Sequence, residues 1–391
     1  MSGDMTLSQG DFVRQLPVGG VGVTGASQRP SLVQRLHIDV PLLLLLLLLT
    51  GTGLIVLYSA SERDSGVLQR QCQYLLIAYV SLFALAQLKV RAYQRLAPIA
   101  YCGVLLLLLG VLLFGVGAKG AQRWLDLPGL PRFQPSEIAK LAVPLMVAWF
   151  LSRRLLPPRP GDIALVLVLV FLPTLMILKQ PDLGTSLLVA ASGLLVLYFA
   201  GLSWRYIGLA VALGAASLYP AWHFVLRDYQ KQRVLTLLNP ESDKLGAGWN
   251  IIQSKTAIGS GGWDGKGWLQ GTQSHLDFLP EGHTDFIIAV LAEEFGLRGV
   301  IMLLILYALI IARAVVICVN AQGIFASLVA ASLTFMFFLY ILVNMGMVSG
   351  LLPVVGVPLP LVSQGGTSVI ALMASFGVLM AIGTEEKKMI R

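Results

Sequence analysis

Residues 41–60 read PLLLLLLLLTGTGLIVLYSA, a run of apolar side chains with no charge in it. At 1.5 Å of rise per residue such a run spans about 30 Å, the hydrocarbon thickness of a bilayer. Comparable blocks recur along the chain, and we place spans at 40–60, 71–88, 97–116, 137–152, 163–179, 185–201, 206–226, 286–312, 323–349 and 363–383. Helices of soluble cores are shorter and amphipathic. The bulk composition agrees: 56% of the residues are hydrophobic and 12% charged, against about 25% charged in soluble domains. The expected fold is an all-α polytopic membrane protein of about ten transmembrane helices.

The formal net charge of +8 does not mark a nucleic-acid binder, because the basic residues alternate between loops instead of forming one face. Lys89, Arg91 and Arg95 sit in one loop, Arg153, Arg154 and Arg159 in another, then Arg205, Arg313, and the tail Lys387, Lys388 and Arg391. These mark the cytoplasmic side, which puts both termini there. Residues 1–36, rich in Gly, Ser and Gln, read as a disordered cytoplasmic tail. The first span follows Arg35 and reads as an uncleaved signal anchor. A membrane domain is expected over 37–384 and a short cytoplasmic tail over 385–391. Two outer connections are long, one at 117–136 and one at 227–284. The second carries Trp249, Trp263 and Trp268 and is expected to be ordered against the membrane surface. Cys72, Cys102 and Cys318 have no metal-ligand or disulfide spacing and read as packing residues. No internal repeat supports an inverted-repeat transporter.

A charge inside an apolar span costs on the order of 3 kcal/mol at mid-bilayer, so each calls for a reason. In Gln134-Pro135-Ser136-Glu137-Ile138-Ala139-Lys140 the helix starts at Pro135 and Ser136, and Glu137 and Lys140 share a face one turn apart. They form either a structural ion pair or the wall of a water-filled cavity that holds a charged substrate. Asp285, in LPEGHTDF at 279–286, borders the next apolar span. It is either a helix cap or a carboxylate placed to accept a proton. Glu293 and Glu294 follow, with Arg298 one turn beyond Glu294 in position to neutralise it. Gly259 to Gly267 is glycine-rich but matches neither a P-loop nor a dinucleotide fingerprint. Pro353 to Pro360, then Ser363-Gln364-Gly365-Gly366-Thr367-Ser368, must be non-helical, which at membrane depth requires burial in protein or a cavity.

Together these segments resemble the SEDS family (shape, elongation, division and sporulation). The matching runs are KGAQRW at 119–124, FQPSEIAK at 133–140, QPDLGTS at 180–186 and NPESDKLGAGWNIIQSKTAIGSGG at 239–262. GKGWLQGTQ at 265–273, LPEGHTDFI at 279–287 and NMGMVSGLLPVVGVPLPLVSQGG at 344–366 complete the set. The last run favours the elongation type over the division type. The resemblance implies a ten-helix peptidoglycan glycosyltransferase of the bacterial inner membrane that polymerises lipid II on the extracytoplasmic side. It implies that Asp285 is the catalytic carboxylate, that Glu137 and Lys140 are the functional pair of the fourth span, and that Trp124 is the loop tryptophan. Implied partners are lipid II, a class B penicillin-binding protein, other elongation-complex proteins and membrane lipids. Gln364 departs from an expected Tyr and Ile288 from a common Phe. Inversion at the MurNAc anomeric carbon with Asp285 as base fits these residues. Lys140, Arg123, Lys255 and Lys266 are candidates to hold the departing pyrophosphate, as is a divalent cation (Mg or Mn). A lipid II flippase and a non-catalytic scaffold are the rival readings. The outward clustering of polar groups disfavours the flippase.

Overall fold

The computed structural model describes residues 37–118, 121–125, 132–226, 228–242, 247–275 and 282–385. The amino-terminal tail, Asp126, Glu281 and the basic residues of the carboxyl tail lie outside them. Each of the ten expected spans coincides with a helix: α1 (Val40–Ala60), α2 (Ser65–Ala86), α3 (Val90–Phe114), α4 (Pro135–Leu151), α5 (Pro160–Lys179), α6 (Leu183–Phe199), α7 (Trp204–Pro220), α11 (Ile287–Asn320), α12 (Ile324–Val348) and α13 (Thr367–Gly383). The connection at 227–284 contains α8 (Asp228–Leu238), α9 (Ala247–Gly261) and the single turn α10 (Thr272–His275). An antiparallel hairpin, β1 (Val116–Ala118) and β2 (Ala121–Trp124), follows α3.

Five helices, α1, α3, α5, α11 and α12, are long and apolar enough to cross a membrane, and α6 and α13 are shorter apolar helices. Their outward faces carry exposed Leu, Ile, Val and Phe, as lipid-facing surfaces do. This is a multi-pass membrane protein. Two of the three cysteines, Cys72 and Cys102, belong to exposed surface rather than to packing, and Cys318 is half-buried.

At the centre, α4, α6 and α12 pack on one another, with α3 and α5 outside them. Small residues allow the close approach. Gly193 of α6 has no room for a methyl group between Val170 of α5 and Val143 of α4. On the other flank α13 packs along α2, and α11 along α1 and α12.

The irregular stretch 353–366 runs through this bundle, and side chains satisfy its backbone. Asn344 Nδ2 donates to the Val357 carbonyl (2.8 Å) and Tyr307 Oη to that of Pro360 (2.7 Å). The Leu359 amide donates to Ser363 Oγ (2.8 Å), and the Gly365 amide to Gln71 Oε1 (3.2 Å). Gly53 of α1 lets the stretch pass, since a Cβ there would come within 2.7 Å of the Leu361 carbonyl. The expected non-helical segment is therefore present, buried at Val357 and from Leu359 to Ser363, with four of its backbone groups bonded by side chains.

Candidate active site

Pro135 opens α4, where its missing N–H costs nothing. Two residues on, Glu137 Oε1 lies 2.7 Å from Lys140 Nζ, with both side chains about nine-tenths buried. The ammonium also lies 5.0 Å from the ring centre of Tyr340 on α12. Two cavities of about 30 Å³ each meet at these three residues. One continues between α12 and α13 past Met336 and Phe376. The other is walled by Thr185, Gly356 and Ser368. The pair is a cavity wall as well as an ion pair, and Tyr340 is a member that no local spacing announces.

Asp182 organises the amino-terminal end of α6. It caps the helix, its Oδ1 accepting from the Thr185 amide (3.1 Å). Its Oδ2 accepts from Thr185 Oγ1 (2.9 Å) and Gln134 Nε2 (3.0 Å). Arg123 Nη2 donates to the Pro181 carbonyl (2.8 Å), and its Nε stands 3.7 Å from Asp182 Oδ2. So KGAQRW, FQPSEIAK and QPDLGTS converge on one carboxylate that sequence reading had passed over. The available signal was an Asp two residues before a glycine at a helix start. Trp124 is half-buried on β2, opposite Val116. Arg123 thus pins the hairpin to α6.

Asp285 precedes α11, but the cap position belongs to Phe286, which makes no side-chain cap bond. The cap reading of Asp285 does not hold. Its half-buried carboxylate faces the irregular stretch instead, where a methyl group on Gly356 would lie 3.5 Å from Oδ2. Gly356 has φ +75°, a conformation glycine adopts without strain. Asn344 Nδ2 ties the two strands of chain by donating 2.8 Å bonds to the carbonyls of Asp285 and Val357. The Gln364 amide bonds the His283 carbonyl (3.0 Å). Gly356 also lines the cavity at Glu137 and Lys140, so one glycine neighbours both the Asp285 carboxylate and the cavity that borders the ion pair.

The other candidate lysines do not line these cavities. Lys266 Nζ contacts Glu293 Oε1 and Thr272 Oγ1, each at 2.7 Å, and Glu293 is fully buried. Lys255 is exposed on α9 beside Gly350. The expected Glu294–Arg298 pair is not formed: Ser59 Oγ donates to Glu294, and Arg298 pairs with Asp264. The reason is a break in α11 at Gly296 (φ +64°, ψ −165°), which removes the helical register between the two. The glycine-rich loop fills that break. Amides of Lys266 and Gly267 donate to the carbonyls of Glu293 and Glu294, and those of Leu297 and Arg298 to the carbonyls of Gly262 and Trp263. Its glycines serve backbone docking. Arg313, expected in a loop, lies inside α11 and makes a two-point contact with Asp39 (3.0 and 2.6 Å). Among the described residues no three His, Cys, Asp or Glu side chains gather as a metal would need, so they form no protein-only cation site.

Residues 40–388 match the family model for cell cycle proteins of the FtsW, RodA and SpoVE type. The chain belongs to that family. The family match covers every element of the site, from α4 to the stretch before α13, and bears out the SEDS resemblance. Among relatives, the chain is 55% identical over 353 residues to "Peptidoglycan glycosyltransferase MrdB" of Escherichia coli K12, covering 90% of this chain and 95% of that protein. It is 36% identical over 358 residues to "Probable peptidoglycan glycosyltransferase FtsW" of Trichlorobacter lovleyi, covering 88% and 92%. Among solved structures, a chain from work on "structural coordination of polymerization and crosslinking by a peptidoglycan synthase complex" superposes with TM-score 0.77 at 34% identity, covering 88% of this chain and 97% of that one. The rod shape determining protein RodA of Thermus thermophilus superposes with TM-score 0.67 at 32% identity, covering 88% and 96%.

Proposed function

We propose that this protein is a peptidoglycan glycosyltransferase of cell elongation, that lipid II is its substrate, and that Asp285 is its general base. The observation that carries the site assignment is the half-buried Asp285 carboxylate set against Gly356, a glycine that itself lines the Glu137–Lys140 cavity. The similarity to a relative named for this activity supports the reaction class.

The C4 hydroxyl of the acceptor GlcNAc attacks C1 of the donor MurNAc. A C–O bond forms there as the bond from C1 to the undecaprenyl pyrophosphate oxygen breaks. A sugar hydroxyl is a weak nucleophile, so a carboxylate that takes its proton lowers the barrier, typically by about 10²- to 10⁴-fold in rate. In-line attack opposite the pyrophosphate inverts the anomeric carbon without a covalent enzyme intermediate. Charge develops on the departing pyrophosphate. Lys140 is the candidate cation that borders a cavity, and Glu137 and Tyr340 hold it in place.

In this reading residues 37–384 form one ten-span domain with both termini cytoplasmic, and 227–284 and the site face outward from the inner membrane. A class B penicillin-binding protein is the partner, as the likeness to a chain of a polymerising and crosslinking complex supports. The test is polymerisation of lipid II by the purified protein with that partner. Asp285→Asn should lose at least about a hundredfold in rate. Polymerisation at the unmodified rate by that variant would remove the base assignment, and none by the unmodified protein would remove the activity.

A further inference from the structure

The end of the bundle remote from Glu137 carries a feature that polymerisation does not use. α3 leads into the β hairpin, and α4 leads out of it, so Phe114 and Pro135 share one end and Val90 and Leu151 the other. Tyr101 Oη donates to the Leu169 carbonyl (2.8 Å), which sets the depth of α3 against α5. Tyr101 is about 16 Å along α3 from Val90, and Leu169 about 14 Å along α5 from Pro160. The starts of α3 and α5 are therefore level. Two basic groups far apart in sequence lie at that level, Lys89, Arg91 and Arg95 at the start of α3 and Arg153, Arg154 and Arg159 between α4 and α5, all of them exposed.

Three details give this cluster a shape. Arg91, Arg95 and Ile99 follow at four-residue intervals on one face of α3, and Ile99 is 68% exposed. That row passes from cation to hydrocarbon-facing side chain within two turns, as a surface at headgroup depth must. Arg153 stacks on Trp149, with its guanidinium carbon 4.1 Å from the ring centre, and Arg154 lies 5.2 Å over Phe150. Ring stacking holds these guanidinium planes in place. Leu155, the next residue, is 76% exposed. The one carboxylate in these two loops and the first turn of α5 is Asp162, which pairs with Arg154 at 3.5 Å.

We infer that this cluster is a binding surface for anionic phospholipid, with phosphodiester headgroups on the guanidinium groups and acyl chains along the Ile99 and Leu96 face of α3. Six cations facing one acid give the charge, and their alignment with a lipid-facing row selects a membrane phosphate over a soluble one. Each Lys or Arg near an anionic membrane surface strengthens attachment by about fivefold.

The test uses the full-length protein in neutral detergent, loaded with phosphatidylglycerol, cardiolipin or phosphatidylcholine, with retained lipid counted by native mass spectrometry. Both anionic lipids should be retained at least tenfold over phosphatidylcholine. Arg153→Gln/Arg154→Gln/Arg159→Gln should lower that retention by about tenfold or more, and Arg63→Gln/Arg70→Gln at the opposite end should leave it unchanged. A second reading needs no variant: raising NaCl from 0.1 to 1 M shortens the screening length from about 10 Å to about 3 Å and should release the lipid from the unmodified chain. Equal retention of phosphatidylcholine, indifference to the triple substitution or to salt, or displacement by millimolar pyrophosphate would each overturn the assignment. Lipid counting reads no glycan, so a failure of the glycosyltransferase reading would leave this result standing.

Discussion

Two Lys–Glu pairs in this molecule, each with a buried carboxylate, have the same 2.7 Å contact and opposite surroundings. Around Lys266 and Glu293, one carboxylate oxygen accepts from the ammonium, the Thr272 amide, Thr272 Oγ1 and the Gln273 amide. It is enclosed by its own chain. Around Glu137 and Lys140, the neighbours are a tyrosine ring and two small cavities. The first pair holds a loop in place; the second borders open space, where the proposed function would put a substrate. An ion pair's burial therefore says little about its role, and what else its atoms can reach says more.

The sharpest way to break this contrast is Glu293→Ala. It strands the Thr272 and Gln273 amides and removes the partner of a partly exposed ammonium, and should cost about 2–3 kcal/mol of stability, read as a lower unfolding temperature in detergent. Glu137→Gln keeps the shape and should lower lipid II polymerisation by about ten- to a hundredfold, while its unfolding temperature moves far less than that of Glu293→Ala. The reverse ranking would exchange the two roles. Gly356→Ala puts a β-carbon beside Asp285 at φ +75°, which should cost about 1–2 kcal/mol. It should also slow polymerisation, because the new methyl group sits against the Asp285 carboxylate. Smallest is Arg298→Gln: its pair with Asp264 is more than half exposed, so the change should stay under about 1 kcal/mol.

The sequence made the helices legible because lipid-facing blocks must be apolar over a fixed length, and each block 40–60 through 363–383 did become a helix. Glu137 and Lys140 were legible because three residues along a helix is a local distance. What stayed hidden was non-local. FGLRG at 295–299 reads as continuous helix, and its break at Gly296 exists because a loop some thirty residues upstream supplies the missing backbone partners. Glu293 could not be paired by spacing, since Lys266 reaches it from that same loop. Asp182 looked like an ordinary cap until the hairpin brought Arg123 to it. The two departures from the family pattern sit where they do little harm. Gln364 contributes its backbone amide to His283, and Ile288 is packed in the apolar core.

Loops outside a membrane usually absorb an inserted or deleted residue without harm. The turn from Gly262 to Gly267 is denied that freedom. It lends amides to Glu293 and Glu294 and carbonyls to Leu297 and Arg298, standing in for the missing rung of a helix. One residue more or fewer would slide all four bonds out of step and leave bare peptide groups at the edge of the lipid, so the length of this turn is as fixed as the length of the helices it mends.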